Sequence, residues 1–214
     1  MNSDVNAPRT WPLRQAKAKA TRAAVIAAAA RLFADPGYLA TSVQAVADLA
    51  GVSRATVFNA VGGKSALLRA AYDVATVGDA EPVPLPQRPG ARAVIDEPDP
   101  VRAVELYAAL ATEVSSRLVG IYEVFRAVAA VDPEVRGEWA SIQDERLGGA
   151  RGFVRLLAAK GPLRAGVDPD SAGDVVWTLI DTSLYQRLVV ERGWTAGEFQ
   201  RWLAQRFRSE LLPP

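Results

Sequence analysis

The chain of 214 residues has no cysteine and no histidine. Without cysteine there are no disulfides, thiolate metal sites or cysteine redox sensors, and the composition is compatible with a reducing cytoplasm. Without histidine the chain lacks the usual general base, the commonest metal ligand and the side chain that switches charge near neutral pH. It also lacks HExxH, paired-carboxylate, Gly-rich phosphate-loop and nucleophile-elbow motifs, so neither an enzyme nor a metal or other cofactor is expected. Long apolar runs are missing too. VVWTLI at 175–180 lies between Asp174 and Asp181 and is too short to span a bilayer. Residues Lys17–Ala34 place basic residues before AAVIAAAA as a signal peptide does. The run is internal, however, Arg31 interrupts it, and Ala23, Ile26, Ala30 and Phe33 follow a helical spacing. A first helix and a cytoplasmic protein are expected.

What is present is ordinary globular composition, 50% apolar and 23% charged, enough for one or two domains with a full core. Net charge is +1 but unevenly divided. Residues 1–78 carry 9 Lys/Arg against 4 Asp/Glu, and residues 79–214 carry 16 against 20. A positive N-terminal third on a negative remainder suits a chain in which only the first module approaches phosphates.

Residues 41–64, TSVQAVADLAGVSRATVFNAVGGK, carry the most information. Thr41 and Gln44 have capping-box spacing, which predicts a helix from Ser42, and Val43, Val46, Ala47 and Ala50 form one apolar stripe. Gly51 follows where a left-handed residue ends a helix, Ser53 caps a second helix running to about Val61, and Lys64 opens another after Gly62-Gly63. Ala47, Gly51 and Val57 are the steric signature. A small residue lets two helices cross closely, a glycine relaxes the turn, and a valine fills the angle between them. With Val57 and Val61 inward, Arg54, Ala55, Thr56, Phe58 and Asn59 face solvent as candidate readers of bases and phosphates. Thr41 and Ser42 at one helix start and Lys64 at another are candidate phosphate holders.

This stretch resembles the tetracycline-repressor (TetR) family of bacterial transcription regulators. The likeness runs from about Thr21 to Leu68 through ARLFADPGYLATSV, VADLAGVSRATVF and GGKSALL. It departs at the end of the second helix, where Phe58 keeps the first aromatic ring without its hydroxyl, Asn59 stands for a histidine, Ala60 for a tyrosine and Val61 for a phenylalanine. The resemblance implies a double-stranded-DNA-binding regulator that dimerises through its last two long helices and holds a small-molecule effector among its middle helices.

The remainder of the chain reads as helix. Residues 1–16 are expected as a flexible arm with a basic edge at Arg9, Arg14, Lys17 and Lys19, and 17–77 as the DNA-binding domain. Residues 78–98, with Pro82, Pro84, Pro86, Pro89 and Pro98, are expected as a Pro-rich linker, and 99–214 as a regulatory and dimerisation domain. Helices are predicted at about 100–116, 118–131, 133–160, 169–191 and 196–212, giving an all-α protein of about nine helices. Helix 169–191 has more apolar surface than one stripe needs. Val176, Ile180, Leu184 and Leu188, with Phe199, Trp202, Leu203 and Phe207 of the last helix, are the expected homodimer interface. Tyr107, Tyr122, Phe125, Arg126, Trp139, Phe153, Trp177 and Asp181 are candidates for an effector cavity favouring an apolar or aromatic compound. Two alternatives stay open: an interaction protein whose altered second helix no longer reads DNA, and a helical small-molecule binder or enzyme.

Overall fold

The computed structural model describes residues 10–214, with side chains from residue 14. Among the described residues the chain forms ten α-helices and no strand. It divides into two compact units, residues 1–71 and 72–214. Of the expected N-terminal arm, residues 1–9 lie outside the described residues.

In the first unit, helix α1 spans Thr10–Leu32, so residues 10–16 are helical rather than part of an arm. Pro12 falls in the first turn, where its missing N–H removes no intrahelical bond, and Arg14 to Ala20 are mostly strong helix formers. After a turn through Phe33–Gly37 come α2 (Val43–Ala50), α3 (Arg54–Ala60) and the start of α4 (Lys64–Val77). Val25, Ala29 and Phe33 of α1, Val46 and Ala47 of α2, Val57 of α3, and Leu67 and Leu68 of α4 are fully buried in this unit.

The second unit is built on two long helices, α6 (Pro100–Ala129) and α7 (Pro133–Lys160), with α8 (Pro169–Leu179), α9 (Thr182–Tyr185) and α10 (Ala196–Leu211) packed around them. Three helix starts share one device. Asp99, Asp132 and Asp168 each precede a proline at the first helical position and accept a backbone N–H of the first turn. Gly173 of α8 lies against Arg151 of α7, where a Cβ would meet the arginine Cγ at 2.4 Å, so this helix contact requires glycine.

Three expectations are corrected here. The break expected near residue 117 is absent, because one Gly inside a helix costs only about 1 kcal/mol and the buried stripe Leu118, Ile121, Tyr122, Phe125 and Val128 outweighs it. Helix 169–191 is interrupted. Asp181 leaves the helical region (φ −66, ψ 125) and caps α9 through the Ser183 N–H, and a wider helical turn follows at Gln186–Glu191. Its surplus of apolar residues thus belongs partly to two short helices with different faces. The Pro-rich segment contains a 3₁₀ turn (Leu85–Gln87) and helix α5 (Pro89–Asp96), which packs on α6 and buries Ala91 and Val94. Pro89 stands at the first helical position, so prolines bound this helix rather than forbid it.

Candidate DNA-reading helix and effector cavity

The turn between α2 and α3 has the geometry that the residue pattern requires. Ala47 and Val57 have no exposed surface. Gly51 is left-handed at φ 67, ψ 32, and its N–H returns to the carbonyls of Ala47 and Asp48. Ser53 caps α3 by accepting the Thr56 N–H at 3.1 Å. Arg54, Ala55, Phe58 and Asn59 are exposed and form one ridge at i, i+1, i+4 and i+5. The Arg54 guanidinium lies 5.5 Å from the centre of the Phe58 ring, which holds that long side chain along the ridge. Thr56 is half-buried and its hydroxyl shares a 2.8 Å hydrogen bond with that of Ser53, so its donor capacity is partly committed.

Around this ridge the structure redistributes the expected roles. Thr41 is buried, and its hydroxyl is directed at the carbonyls of Leu32 (2.9 Å) and Gly37 (2.8 Å). It joins the end of α1 to the start of α2 and is not available to a phosphate. Ser42 is the true cap, exposed and accepting the Ala45 N–H at 3.0 Å, and Gln44 donates to Asp48 instead of closing a capping box. The spacing predicts Thr41 as the cap; burial at the α1 turn commits its hydroxyl elsewhere and moves the cap one residue on. Lys64 is half-buried at the first position of α4, with its ammonium 4.2 Å from the centre of the Tyr38 ring. Arg22 of α1 donates to the Ala60 carbonyl at 3.2 Å and so satisfies the end of α3. Nothing in the sequence pointed to that contact across 38 positions.

The second unit contains a cavity of about 390 Å³ walled by α4 (Tyr72, Asp73, Thr76), α6 (Tyr107, Leu110, Ala111, Val114, Ser115, Leu118) and α7 (Ile142, Glu145, Arg146, Gly149). Leu85 and Pro86 of the 3₁₀ turn and Ile180 and Thr182 beside α9 complete it. A second cavity of about 360 Å³ lies under α5, lined by Ala91, Val94, Ile95, Gly152, Phe153 and Leu156, and shares Leu85, Pro86, Tyr107, Leu110 and Gly149 with the first. Both volumes are in the range of small-molecule sites.

Of the eight candidates for an effector cavity, Tyr107 and Phe153 line these spaces, their rings stacked at 3.7 Å. The others are corrected. Tyr122, Phe125 and Trp139 pack ring against ring in the core, and Arg126 is a surface residue paired with Glu123 at 2.7 Å. Position along the helix explains the difference. The cavity opens along positions 107, 111, 114 and 118 of α6, and 122 and 125 continue the same stripe one to two turns further on, where Trp139 of α7 packs against both rings. Trp177 and Asp181 stand behind the wall, around a residue that sequence reading missed. Arg146 lines the first cavity, its guanidinium 5.6 Å and 5.8 Å from the ring centres of Tyr122 and Trp177. It donates to Gln143 (2.6 Å), the Ile180 carbonyl (3.1 Å) and Asp181 (3.3 Å). Tyr122 donates to the same Asp181 carboxylate at 2.6 Å. Burial pushes the Asp181 pKa up, but bonds from Ser183 and Tyr122 and the Arg146 charge outweigh it and hold the group below the usual carboxylate range. Burial raises the Tyr107 and Tyr122 phenols, against the opposing charge of Arg146, and keeps both as donors.

Four expected interface residues are buried within the protomer's own core: Val176, Phe199, Leu203 and Phe207. The apolar stripe of α10 serves the packing of α10 on α6, which single-chain periodicity cannot distinguish from an intersubunit seam. Ile180, Leu184, Leu188 and Trp202 remain half-buried.

A buried small residue, a left-handed glycine and a buried valine beneath an exposed ridge make the geometry of a helix-turn-helix. Among the described residues no helix is long and apolar enough to cross a membrane. Residues 25–71 match the model of the bacterial regulatory proteins of the tetR family. The whole fold is similar to solved structures of low sequence identity. A TetR-family regulator from Rhodococcus sp. superposes with a TM-score of 0.67 at 18% identity, covering 89% of this chain and 97% of that one. One from Syntrophomonas wolfei gives 0.69 at 17%, covering 88% and 93%. NalD of Pseudomonas aeruginosa, the secondary repressor of a multidrug efflux pump, gives 0.67 at 20%, covering 92% and 98%. No curated protein matches the chain in sequence.

Proposed function

We propose that this protein is a cytoplasmic, non-enzymatic repressor that binds a partial inverted-repeat operator as a homodimer and is released by a small apolar or aromatic effector. The observation that carries the reading is the exposed α3 ridge of Arg54, Ala55, Phe58 and Asn59 on a head whose turn is sterically complete. Residues 17–77 serve as the reading head, and 99–214 with α5 packed on it as the regulatory and dimerisation part. Arg54 contacts guanine or phosphate, Phe58 a thymine methyl or sugar, and Asn59 a base edge, while Ser42 and Lys64 set register on the phosphates. Helix α4 begins at Lys64 and supplies Tyr72, Asp73 and Thr76 to the first cavity. An effector seated there bears directly on the helix that leaves the head, so ligand and DNA oppose one another reciprocally.

Arg54→Ala should weaken operator binding by about 1–3 kcal/mol and relax base preference, whereas Lys64→Ala should weaken all sequences alike. Gel-shift titrations on the cognate operator and a scrambled duplex check this; two mutants indistinguishable from wild type on both duplexes would remove the assignment. Assembly is tested separately. The half-buried Leu184, Leu188 and Trp202 offer the apolar surface left after the core is made, so Leu184→Glu should shift the sedimentation of a wild-type dimer to monomer while helix content is retained. A wild-type monomer at micromolar concentration would exclude the dimer.

A further inference from the structure

The two cavities of the second unit meet along Tyr107, Leu110, Gly149 and the Leu85–Pro86 roof, and they differ in polarity. The lobe under α5 is walled by aliphatic side chains, Phe153 and glycine. The lobe beside α9 carries hydroxyls. Ser115 and Thr182 are only 3% and 2% exposed, and neither hydroxyl has a hydrogen-bonding partner among the described residues. Tyr107 adds a third unpartnered hydroxyl at the junction of the lobes. Buried polar groups are otherwise nearly always paired, so hydroxyls facing a cavity mark where a ligand supplies the missing partner.

Charge narrows the chemistry. Arg146 in the same wall is already held by Asp181, Gln143 and the Ile180 carbonyl, and Asp73 and Glu145 are likewise engaged, Glu145 accepting from Ser141 at 3.2 Å. A charged head of either sign would meet counter-charges that are already committed. Gly149 controls the passage. It lines both lobes, and a Cβ built on it meets nothing within 4 Å, so the absent side chain is what leaves the junction open.

We propose that the two lobes form one site for a single-chain amphiphile with a neutral, oxygen-bearing head such as an alcohol, ester or amide. The head is bound by the hydroxyls of Ser115, Thr182 and Tyr107, and the chain runs past Gly149 into the lobe under α5. This rests on the reading of the cavity as the effector site and names the class of effector.

The test is calorimetric titration of the full-length protein with primary alkyl alcohols of increasing length, and with the matching alkyl carboxylates and alkyltrimethylammonium ions, all below their micelle concentrations. Alcohol affinity should rise about 4-fold per methylene until the apolar lobe is filled and then level off. Both charged series should bind at least ~10-fold more weakly. Gly149→Leu should shorten the best chain length and weaken long alcohols by ~10-fold or more while sparing those that fit the polar lobe. Gly148→Leu, at a position that lines neither lobe and where an added Cβ also meets nothing within 4 Å, should leave the series unchanged. Ser115→Ala with Thr182→Val should weaken every alcohol about equally, by ~10-fold, without changing the length dependence.

Tightest binding by a charged series overturns the neutral head. A length-independent affinity, or a Gly149→Leu effect equal at all lengths, overturns the joined site. Operator release is measured apart from binding. Length-dependent binding that leaves operator affinity unchanged supports this inference and refutes the effector reading, while operator release by compounds with no length dependence does the reverse.

Discussion

Asp181→Ala should lower stability by about 3 kcal/mol, seen as a fall of roughly 6–12 °C in the melting temperature of a chain this size. Three losses coincide at this carboxylate. The Arg146 guanidinium, 12% exposed, loses its ion-pair partner; Tyr122 loses the acceptor of a 2.6 Å hydrogen bond; and α9 loses its cap on the Ser183 N–H. Breaking a buried pair by removing one partner costs about 3–5 kcal/mol, and the 25% exposure of the Asp181 side chain puts this case at the lower end. Asp181→Asn keeps an acceptor and should cost about 1–2 kcal/mol. The sign with pH follows from the depressed pKa of Asp181. Its contribution is complete above the unfolded value of about 3.9 and fades as pH falls through the folded one, so the gap between wild type and Asp181→Ala should narrow only below about pH 4. Thermal melts from pH 7 to pH 3 check both the size and the window; equal melting temperatures at neutral pH would remove the network from the account. The mutation also releases Arg146 toward the polar lobe, so in Asp181→Ala the carboxylate amphiphiles should gain on the alcohols.

This network also shows where legibility ends. Arg146, Asp181 and Tyr122 stand 24 to 59 positions apart and meet only because α6, α7 and the break before α9 converge. Periodicity assigns a residue to a face but not the face to a neighbour, so Tyr122, Trp177 and Asp181 could be suspected while the guanidinium they surround could not. The kink was written as Asp181-Thr182, an ordinary cap, yet it lay inside an apolar run whose hydrophobicity outweighed a single polar signal. Helix α5 was obscured for the opposite reason: five prolines read as breakers, although one sat at a helix start and one beyond the end. Local chemistry was readable where sequence neighbours decide it. The Asp-Pro starts of α6, α7 and α8, the left-handed Gly51 and the Ser53 cap all depend on residues within four positions of one another. The α3 ridge followed from these constraints. The cavity did not, because its walls come from five separate stretches of chain.

Val57→Asp should abolish operator binding, with a loss of more than 100-fold, by collapsing the head while leaving residues 72–214 folded. Val57 has no exposed surface, and neither does Ala47 on the adjoining α2, so a carboxylate at 57 is buried away from water. Its backbone carbonyl accepts the Val61 N–H at 2.9 Å and that of Gly62 at 3.3 Å, so a helix displaced to hydrate the new charge also loses its own ending. An unpaired buried charge costs at least ~3–5 kcal/mol, a large part of what a small helical unit possesses. Val57→Ala is the graded comparison: a cavity without a charge should cost about 1–3 kcal/mol and weaken DNA binding in proportion. The decisive readout is which half of the molecule responds. Circular dichroism of Val57→Asp should lose helix corresponding to α1, α2 and α3, and a cavity-binding alcohol should still raise the melting temperature of what remains. Retained operator affinity would mean that α3 is not positioned by the Ala47–Val57 crossing, and loss of alcohol binding together with DNA binding would mean that residues 72–214 do not fold without the head.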